Sequence, residues 1–249
     1  VNKRGKISLH LFGDIRKKLK ELKPDIVHTH LFGADFWGRI AAKKLGLPVV
    51  TTEHNFNDSE GVLKNFIKRN LRNKTDFFTT CSQAVKNYAI KKYSILDNKI
   101  QVIDCAVNIK KFKKIPLASF DNKKLKFLML GRLSKQKGHK IALRALSKID
   151  KDKWSLTIVG SGELLELLKK LVKKLDIENN VKILPASSDV SEVLSQHQIL
   201  LFPSLWEGSG IASREAMSAG LVVIASKTGG IVEYIQDSET GYLVEPNSV

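Results

Sequence analysis

The chain has 249 residues, 43% of them hydrophobic, and a formal net charge of +17 at pH 7. This length is sufficient for two domains of ordinary size, and the composition is typical of a globular protein with hydrophobic cores. No segment approaches the ~18 consecutive apolar residues of a membrane span. Cys81 and Cys105 lack metal-type spacing, so we expect buried thiols in a reducing cytoplasm.

The positive charge is concentrated in the first half of the chain. Residues 1–124 carry 26 Lys and Arg against 11 Asp and Glu, a formal +15, which leaves +2 for residues 125–249. Such a field suits an anionic membrane surface, an acidic substrate or nucleic acid, and solvated helix faces explain the same excess equally well. The sequence contains no aromatic-rich basic stretch or nucleic-acid-binding motif, so we expect no nucleic-acid partner.

Apolar runs of strand length alternate with helical patterns along nearly the whole chain. The predicted strands span residues 25–30, 48–54, 76–82, 100–104, 125–130, 154–160, 181–185, 199–203, 221–226 and 241–245. The predicted helices span residues 33–46, 60–74, 84–93, 163–175 and 191–196, with further helices after Lys137 and around Glu215. This alternation predicts an α/β fold of parallel sheets with helices on both faces.

The alternation stops in the basic segment CAVNIKKFKKIPLASFDNKK, which contains Pro116 and has no clear period. We therefore predict an N-terminal domain over residues 1–108, a linker over 109–124 and a C-terminal domain over 125–249. Two doubly wound, Rossmann-like domains joined in this way are expected to face a cleft. Ligands of such sheets bind beyond the carboxyl ends of the strands.

Two cationic side chains lie at the start of the C-terminal domain. Gly131 ends a predicted strand, Arg132 follows at once, and Lys137 precedes a helix. This arrangement suits a clamp for a diphosphate, although two solvated charges on a loop give the same pattern. No Asp-rich cluster accompanies them, so we expect no metal and no other cofactor. Gly160 and Gly162 suit either a tight turn or a nucleotide at the same sheet edge.

The segment FPSLWEGSGIASREAMSAG places Glu207 in a strand-to-helix loop and Glu215 about one turn inside the helix. The glycines between them let a ligand approach the backbone closely at a helix N-terminus. A carboxylate accepts hydrogen bonds from vicinal hydroxyl groups, so Glu215 suits a ribose and Glu207 a second sugar. The alternative for each glutamate is a capping or salt-bridging role. The backbone N–H groups expected to face the ligand are those of Ser209, Gly210 and Ile211.

The sequence VHTH ends a predicted strand, and we expect His28 and His30 on opposite faces of it. His30 then faces the cleft, whereas His28 is a buried, hydrogen-bonded histidine. His54 also ends a strand. These histidines do not form a metal site, because no third ligand lies at a fitting spacing. Surface or packing roles are assigned to His10, His139 and His197.

The segment VLKNFIKRNLRNK combines apolar and basic side chains in one predicted helix. The preferred interpretation is a helix whose apolar side faces the core and whose basic side is solvated. The alternative is a patch that binds a membrane surface. The residues assigned to the apolar side are Val62, Leu63, Phe66, Ile67 and Leu71.

Five blocks of the sequence together resemble family 4 of the glycosyltransferases, retaining enzymes of the GT-B architecture with two Rossmann-like domains. The blocks follow the family's order, with near-family spacing, over residues 8 to 247. They are PDIVHTHLFGADFWGRIAAKKLGLPVV, LGRLSKQKGHKIALRAL, IVGSGELLELL, LFPSLWEGSGIASREAMSAGLVVIAS and GGIVEYIQDSETGYLV.

The resemblance implies transfer of a sugar from a nucleoside-diphosphate sugar to an acceptor hydroxyl, with retention and without a metal. It places the diphosphate on Arg132 and Lys137, the donor sugar near Glu207 and the ribose on Glu215. The base would lie near Leu184 and Pro185. The implied donor site comprises Arg132, Lys137, Gly160, Pro185, Glu207, Ser209, Gly210, Ile211 and Glu215. The implied catalytic residues are Glu207, His30, Arg132 and Lys137.

Family members usually begin with further strands and a glycine-rich loop, and they continue with helices beyond the end of this sequence. The resemblance therefore implies a chain shortened at both ends, with an incomplete N-terminal domain. Retention could proceed through a covalent Glu207 intermediate or by same-face attack, which we favour because no second carboxylate flanks Glu207. Two other functions stay open: a non-catalytic nucleotide-sugar-binding fragment and a sugar-nucleotide epimerase of the same fold.

The expected acceptor is a glycan or a lipid-linked glycan of polysaccharide synthesis. The basic first half fits a cytoplasmic enzyme that works peripherally at an anionic membrane face.

Overall fold

The computed structural model describes residues 9–56, 61–112 and 124–249. The chain divides into two compact units between Asp104 and Cys105, and each unit contains one parallel β-sheet. The predicted α/β class with two parallel sheets is confirmed. Within the described residues, no helix has the length and apolar character needed to cross a membrane.

The first unit contains a four-stranded parallel sheet in the order β1-β2-β3-β4. Its strands are β1 (Val27–His30), β2 (Val49–Glu53), β3 (Phe77–Thr80) and β4 (Ile100–Val102). Its helices are α1 (Leu9–Leu22), α2 (Phe32–Lys44), α3 (Val62–Leu71) and α4 (Gln83–Tyr93). Every element predicted in this half is present, within a few residues of its predicted bounds.

Helix α1 was not predicted from the sequence, which gave no expected element before residue 25. Leu11, Ile15 and Leu19 recur at a spacing of four residues, are half-buried, and belong to a helix that packs on α2. Gly13 is unfavourable in a helix interior and obscures this pattern in the sequence.

Helix α3 is oriented differently from the preferred prediction. Val62, Leu63 and Phe66 are exposed, whereas Lys68 is buried. Lys68 turns inward because its ammonium group donates to the buried carboxylate of Glu53 at 3.1 Å. A buried ion pair therefore decides which side of this helix faces the core.

The second unit contains a six-stranded parallel sheet in the order β10-β9-β8-β5-β6-β7. Its strands are β5 (Leu125–Leu130), β6 (Trp154–Val159), β7 (Val181–Leu184), β8 (Ile199–Phe202), β9 (Val222–Ser226) and β10 (Tyr242–Val244). Its helices are α5 (Ile109–Phe112), α6 (His139–Leu146), α7 (Leu165–Lys174), α8 (Val190–Ser195) and α9 (Ile211–Ser218).

The strand order of this sheet creates a topological switch point. From β5 the chain adds β6 and β7 on one side, and from β8 it adds β9 and β10 on the other. Both faces carry a hydrophobic core, because Phe127 and Met129 of β5 pack into one cluster and Leu128 into the other. With both faces covered, the carboxyl edge between β5 and β8 is the place where such a sheet binds ligands.

The boundary between the two units differs by a few residues from the prediction. Val107 and Phe112 pack on the hydrophobic core of the second unit, so residues 105–112 belong with it. Helix α5 thus occupies the start of the predicted linker 109–124, and residues 113–123 lie outside the described residues.

One glycine sets the distance between α2 and β1. A Cβ atom at Gly38 would lie 2.8 Å from Cγ2 of Thr29, a buried residue between His28 and His30. Thr29 is β-branched and stiff, so it cannot move aside easily. Gly33, in the first turn of the same helix, has open space at the same position.

We predict opposite effects for alanine at these two glycines. Gly38→Ala should lower the free energy of unfolding by about 1–3 kcal/mol, because it overpacks the contact with Thr29. Gly33→Ala is the matched control and should leave stability unchanged or raise it by up to about 1 kcal/mol, because alanine is the better helix former. Chemical denaturation of both variants measures the difference. Equal effects would show that the helix adjusts without cost.

Candidate functional site

Two loops meet at the switch point of the second sheet, one following β5 and the other leading from β8 into α9. A side chain at Gly138 would overlap the carbonyl oxygen of Pro203, so this approach requires glycine. The backbone N–H of Leu205 donates to the backbone carbonyl of Gln136 at 2.7 Å, and the side-chain amide of Gln136 donates to the Trp206 carbonyl at 2.9 Å. These two hydrogen bonds hold the loops in fixed register.

This register places Lys137 beside Glu207. The Lys137 Nζ lies 2.5 Å from Oε2 of Glu207, and the Ser204 hydroxyl donates to the same oxygen at 3.2 Å. The ammonium group also lies 4.6 Å from the centre of the Phe202 ring. The two side chains keep 19% and 11% of their exposure, so the ion pair is largely desolvated but still reaches solvent.

Arg132 follows β5 on the same edge, but its charge is open to solvent. Its side chain is exposed and forms no ion pair with the residues that the structure describes. A Cβ atom at Gly131, where φ is +141°, would lie 3.5 Å from Cε of Lys137, which is an ordinary van der Waals distance. The two cations of the predicted clamp therefore lie at one strand end, Lys137 paired with Glu207 and Arg132 without an ion-pair partner among the described residues.

Gly160 and Gly162 have a packing reason to be glycines. A side chain at Gly160 would overlap the carbonyl oxygen of Gly131, which ends the neighbouring strand. A Cβ at Gly162, where φ is +157°, would lie 2.5 Å from the Leu133 carbonyl oxygen. The tight-turn interpretation accounts for both residues, and a ligand contact at Gly160 stays a prediction.

The start of α9 offers unused hydrogen-bond donors. Gly210 is the residue before the helix, in the left-handed region with φ +73° and ψ +50°. Across the described ranges, no residue accepts a hydrogen bond from the N–H groups of Ser209, Gly210 or Ile211. The Ser209 hydroxyl is buried and also without a partner. Free N–H groups at a helix N-terminus, together with a buried hydroxyl, are suited to bind an anion there.

Tyr234 braces this loop, and the sequence analysis missed it. Its hydroxyl lies 2.7 Å from Oγ of Ser213, which in turn donates to the Gly210 carbonyl at 2.7 Å. A Cβ at Gly210 would lie 2.6 Å from the same tyrosine hydroxyl. Burial raises the pKa of Tyr234, which keeps the hydroxyl protonated. The Gly230 N–H donates to the Glu207 carbonyl at 3.2 Å, so the segment around Tyr234 supports both ends of the loop.

Glu215 lies one turn inside α9, and Pro185 lies at the end of β7; their contacts with a ribose and a base stay predictions. Glu215 is half-buried in α9, and burial raises its pKa, an effect that the nearby Lys111 of α5 opposes. Pro185 is exposed and directly follows β7 at the carboxyl edge of the sheet.

The prediction that His28 and His30 point to opposite faces is wrong. The strand period is two, so residues i and i+2 share a face, and the two rings lie 4.2 Å apart between centroids. His28 is exposed rather than buried, and it bonds to the Thr52 hydroxyl at 2.7 Å. Nδ1 of His30 lies 2.8 Å from Nε2 of His54, so these two rings share one hydrogen. The described residues contain no group of three ligating side chains arranged for a metal.

The pKa values of His28 and His54 are lowered by the same two causes. Partial burial, followed by the charge of His30, lowers the pKa of both His28 and His54, while the buried Asp35 opposes the shift. Asp35 itself pairs with Arg39 at 3.0 Å, with both side chains almost completely buried. One carboxylate oxygen of Asp35 has no hydrogen-bond partner among the described residues. The spacing of four residues between Asp35 and Arg39 is the signal that could have predicted the pair, but it does not predict that the pair is buried.

Residues 110–249 match the family model of glycosyl transferases group 1, and residues 1–111 match that of glycosyltransferase family 4. The chain is 30% identical to an Escherichia coli UDP-Gal:alpha-D-GlcNAc-diphosphoundecaprenol alpha-1,3-galactosyltransferase, over 94% of this chain and 65% of that protein. It is 31% identical to an uncharacterized glycosyltransferase of Haemophilus influenzae, over 94% of this chain and 67% of that protein.

Among solved structures, Anabaena Alr3699/HepE in complex with UDP-glucose superposes with a TM-score of 0.85 at 21% identity, covering 95% of this chain and 68% of that one. The chain therefore belongs to the glycosyl transferases group 1 family. The predicted family and the GT-B fold class, with two Rossmann-like α/β units, are confirmed. The chain spans about two thirds of the length of these relatives.

His139 lies directly beneath the cationic loop, as the first residue of α6. It is buried, and its Nδ1 atom has no hydrogen-bond partner in the described part of the chain. Burial, followed by the charge of Lys137, lowers its pKa from 6.5 to about 4. The folded state therefore keeps this histidine neutral at a pH where the unfolded chain protonates it.

Acidification should therefore destabilise the second unit. Below pH 6.5 the unfolded state binds a proton that the folded state takes up only near pH 4, so stability falls as the pH drops through this window. At pH 4.5 the loss relative to pH 7.5 is about 2–3 kcal/mol from this residue. Chemical denaturation at both pH values should show a smaller loss for His139→Gln than for the wild type. The matched control is His10→Gln, an exposed histidine, and equal losses in all three proteins would contradict the assignment.

Proposed function

We propose that the protein is a retaining glycosyltransferase that moves a sugar from a nucleoside-diphosphate sugar to an acceptor hydroxyl, without a metal. One observation carries this proposal. At the switch point of the second sheet, two cations, the Glu207 carboxylate and three unused N–H groups lie on one edge. These groups match the parts of a nucleotide sugar, which needs positive charge for its diphosphate and acceptors for its hydroxyl groups.

The parts of the donor are assigned by chemistry. Arg132 and Lys137 bind the diphosphate, together with the N–H groups at the start of α9. Glu207 accepts from hydroxyl groups of the transferred sugar. Glu215, one turn inside α9, accepts from the ribose, and the base lies beside Pro185. Uridine is the first base to test, because the E. coli relative is named for UDP-Gal and the Anabaena structure contains UDP-glucose.

The proposed chemistry breaks the bond between the anomeric carbon and the diphosphate oxygen. The acceptor oxygen bonds to the same face of that carbon, and its proton passes to the departing phosphate oxygen. Negative charge grows on the diphosphate during this step, and Arg132, Lys137 and the α9 N–H groups stabilise it. Because protein cations supply this charge, the step does not require a divalent metal. The role of His30 at the donor sugar stays a prediction.

The donor site predicts selective stabilisation by one nucleotide. A thermal-shift panel of UDP, GDP, ADP and their common sugars, each near 100 times its Kd, should reveal one that adds about 2.7 kcal/mol of stability. Glu215→Ala should lose this shift, because it removes the ribose contact. A wild type that none of the three nucleotides stabilises, either free or as a nucleotide sugar, would contradict the proposed site.

Turnover assays with the nucleotide sugar that the panel selects separate the three functions that the sequence left open. Transfer or donor hydrolysis by the wild type should fall by about 100-fold or more in Arg132→Ala, the loss typical of removing one donor to a developing anion. Binding without any turnover would favour a nucleotide-sugar-binding module. A changed sugar in the absence of acceptor, seen by product analysis, would favour an epimerase.

The acceptor is proposed to be a lipid-linked glycan, approached at an anionic membrane. The E. coli relative is named for a diphosphoundecaprenol substrate. Helix α3 exposes Val62, Leu63 and Phe66 beside the basic residues Lys64 and Arg69. Apolar side chains flanked by cations are typical of a helix that lies in a membrane interface.

This membrane proposal predicts salt-sensitive binding to acidic vesicles. At low salt, vesicles of phosphatidylglycerol and phosphatidylcholine should sediment the protein, and Leu63→Ser with Phe66→Ser should weaken this binding. The control is Leu167→Ser, which alters an exposed leucine of α7 in the second unit. Failure of the wild type to sediment, or equal loss in the control, would contradict a role for α3.

A further inference from the structure

The two residues proposed to bind different parts of the donor are bound to each other in the structure. Lys137 is assigned to the diphosphate and Glu207 to the sugar, yet Nζ and Oε2 lie 2.5 Å apart. The Ser204 hydroxyl holds the same carboxylate oxygen, and the Phe202 ring lies beneath the ammonium group. The pair is not a loose surface contact, because both side chains are mostly buried.

A bound diphosphate cannot use Lys137 fully while Glu207 holds it. The ammonium group has three donors, and at this distance the strongest goes to Glu207. The carboxylate would also lie close to the incoming diphosphate and repel it. Arg132, by contrast, is exposed and forms no ion pair with a described residue, so it is available to a diphosphate without a competing partner.

We propose that Glu207 masks Lys137 in the empty site and thereby makes the protein prefer an intact nucleotide sugar over the free nucleoside diphosphate. This inference rests on the proposed function. A nucleoside diphosphate must break the ion pair and leaves the largely desolvated Glu207 carboxylate with only Ser204 as a partner. A nucleotide sugar breaks the same pair but gives the carboxylate new donors, the hydroxyl groups of the sugar.

The mask also has a consequence after transfer. Once the sugar has left, Glu207 loses its hydroxyl partners, and the nucleoside diphosphate alone must compete with Glu207 for Lys137. Re-formation of the ion pair therefore favours release of the product. The same contact that weakens binding of the free nucleotide would keep the product from occupying the site.

The experiment measures the affinity of UDP and UDP-galactose by titration calorimetry, with GDP and ADP sugars as substitutes if the panel selects another base. Glu207→Gln keeps the shape of the side chain and removes its charge. We expect this variant to bind UDP about 2- to 5-fold more tightly than the wild type, the range for loss of an ion pair that still reaches solvent. Its preference for UDP-galactose over UDP should fall, because the amide is the poorer acceptor for sugar hydroxyl groups.

A double-mutant cycle with Lys137→Gln identifies the cause. If Glu207 acts by masking Lys137, Glu207→Gln should tighten UDP binding more in the wild type than in the Lys137→Gln background. Tightening of the same size in the Lys137→Gln background would show that Glu207 simply repels the diphosphate, and would overturn the mask. The matched control is Glu215→Gln, which removes another carboxylate of the site that does not contact Lys137, and it should weaken UDP binding.

The outcomes separate this inference from the proposed function. UDP binding that is unchanged or weaker in Glu207→Gln, with an unchanged melting temperature, would overturn the mask and leave the donor site intact. A wild type that binds none of UDP, GDP and ADP, and none of their sugars, would overturn the donor site itself, and the mask with it. If Glu207→Gln fails to fold, Lys137→Gln alone tests the same pair. A masked Lys137 contributes little to binding of free UDP, so this variant should lose less affinity for UDP than Arg132→Ala, and an equal or larger loss would overturn the mask.

Discussion

The close approach of two backbones at Gly138 and Pro203 is the constraint on which the candidate site depends. No side chain fits between them, so a loop after β5 and a loop after β8 meet at a distance that only glycine permits. The switch point of the sheet decides where ligands bind, but this contact decides which side chains lie there. It brings Lys137 to Glu207 and leaves Arg132 at the rim, with the unused N–H groups of α9 on the same edge.

Much of the fold could be predicted because strands and helices have different periods and alternate regularly. The same reasoning placed Glu207 and Arg132 in loops after strands, where ligands of α/β sheets bind. The contacts between loops could not be predicted. Lys137 and Glu207 are 70 residues apart, and Tyr234 lies 24 residues beyond the Gly210 carbonyl it helps to hold. Sequence spacing carries no information about which loops meet, because strand order is set by the packing of both sheet faces.

The two wrong assignments in the first unit have separate physical causes. His28 and His30 were placed on opposite faces, although a period of two puts alternate residues on the same one. Lys68 was placed in solvent because lysine is seldom buried without a partner. Its partner, Glu53, belongs to a strand whose side chains otherwise read as apolar and hydroxyl groups. A buried ion pair joins two elements, and neither element shows it when its sequence is considered alone.

The two units use ion pairs in opposite ways, and burial explains why. In the first unit, Arg39 and Asp35 keep 1% and 2% of their side-chain exposure, so breaking the pair would strand a charge in the interior. Lys137 and Glu207 keep 19% and 11% of theirs, which allows solvent or a ligand to reach them as they separate. A pair of the first kind fixes a structure, whereas a pair of the second kind can exchange partners. At the carboxyl edge of the second sheet, loops fixed by a close backbone contact therefore hold an ion pair that solvent or a ligand can still reach.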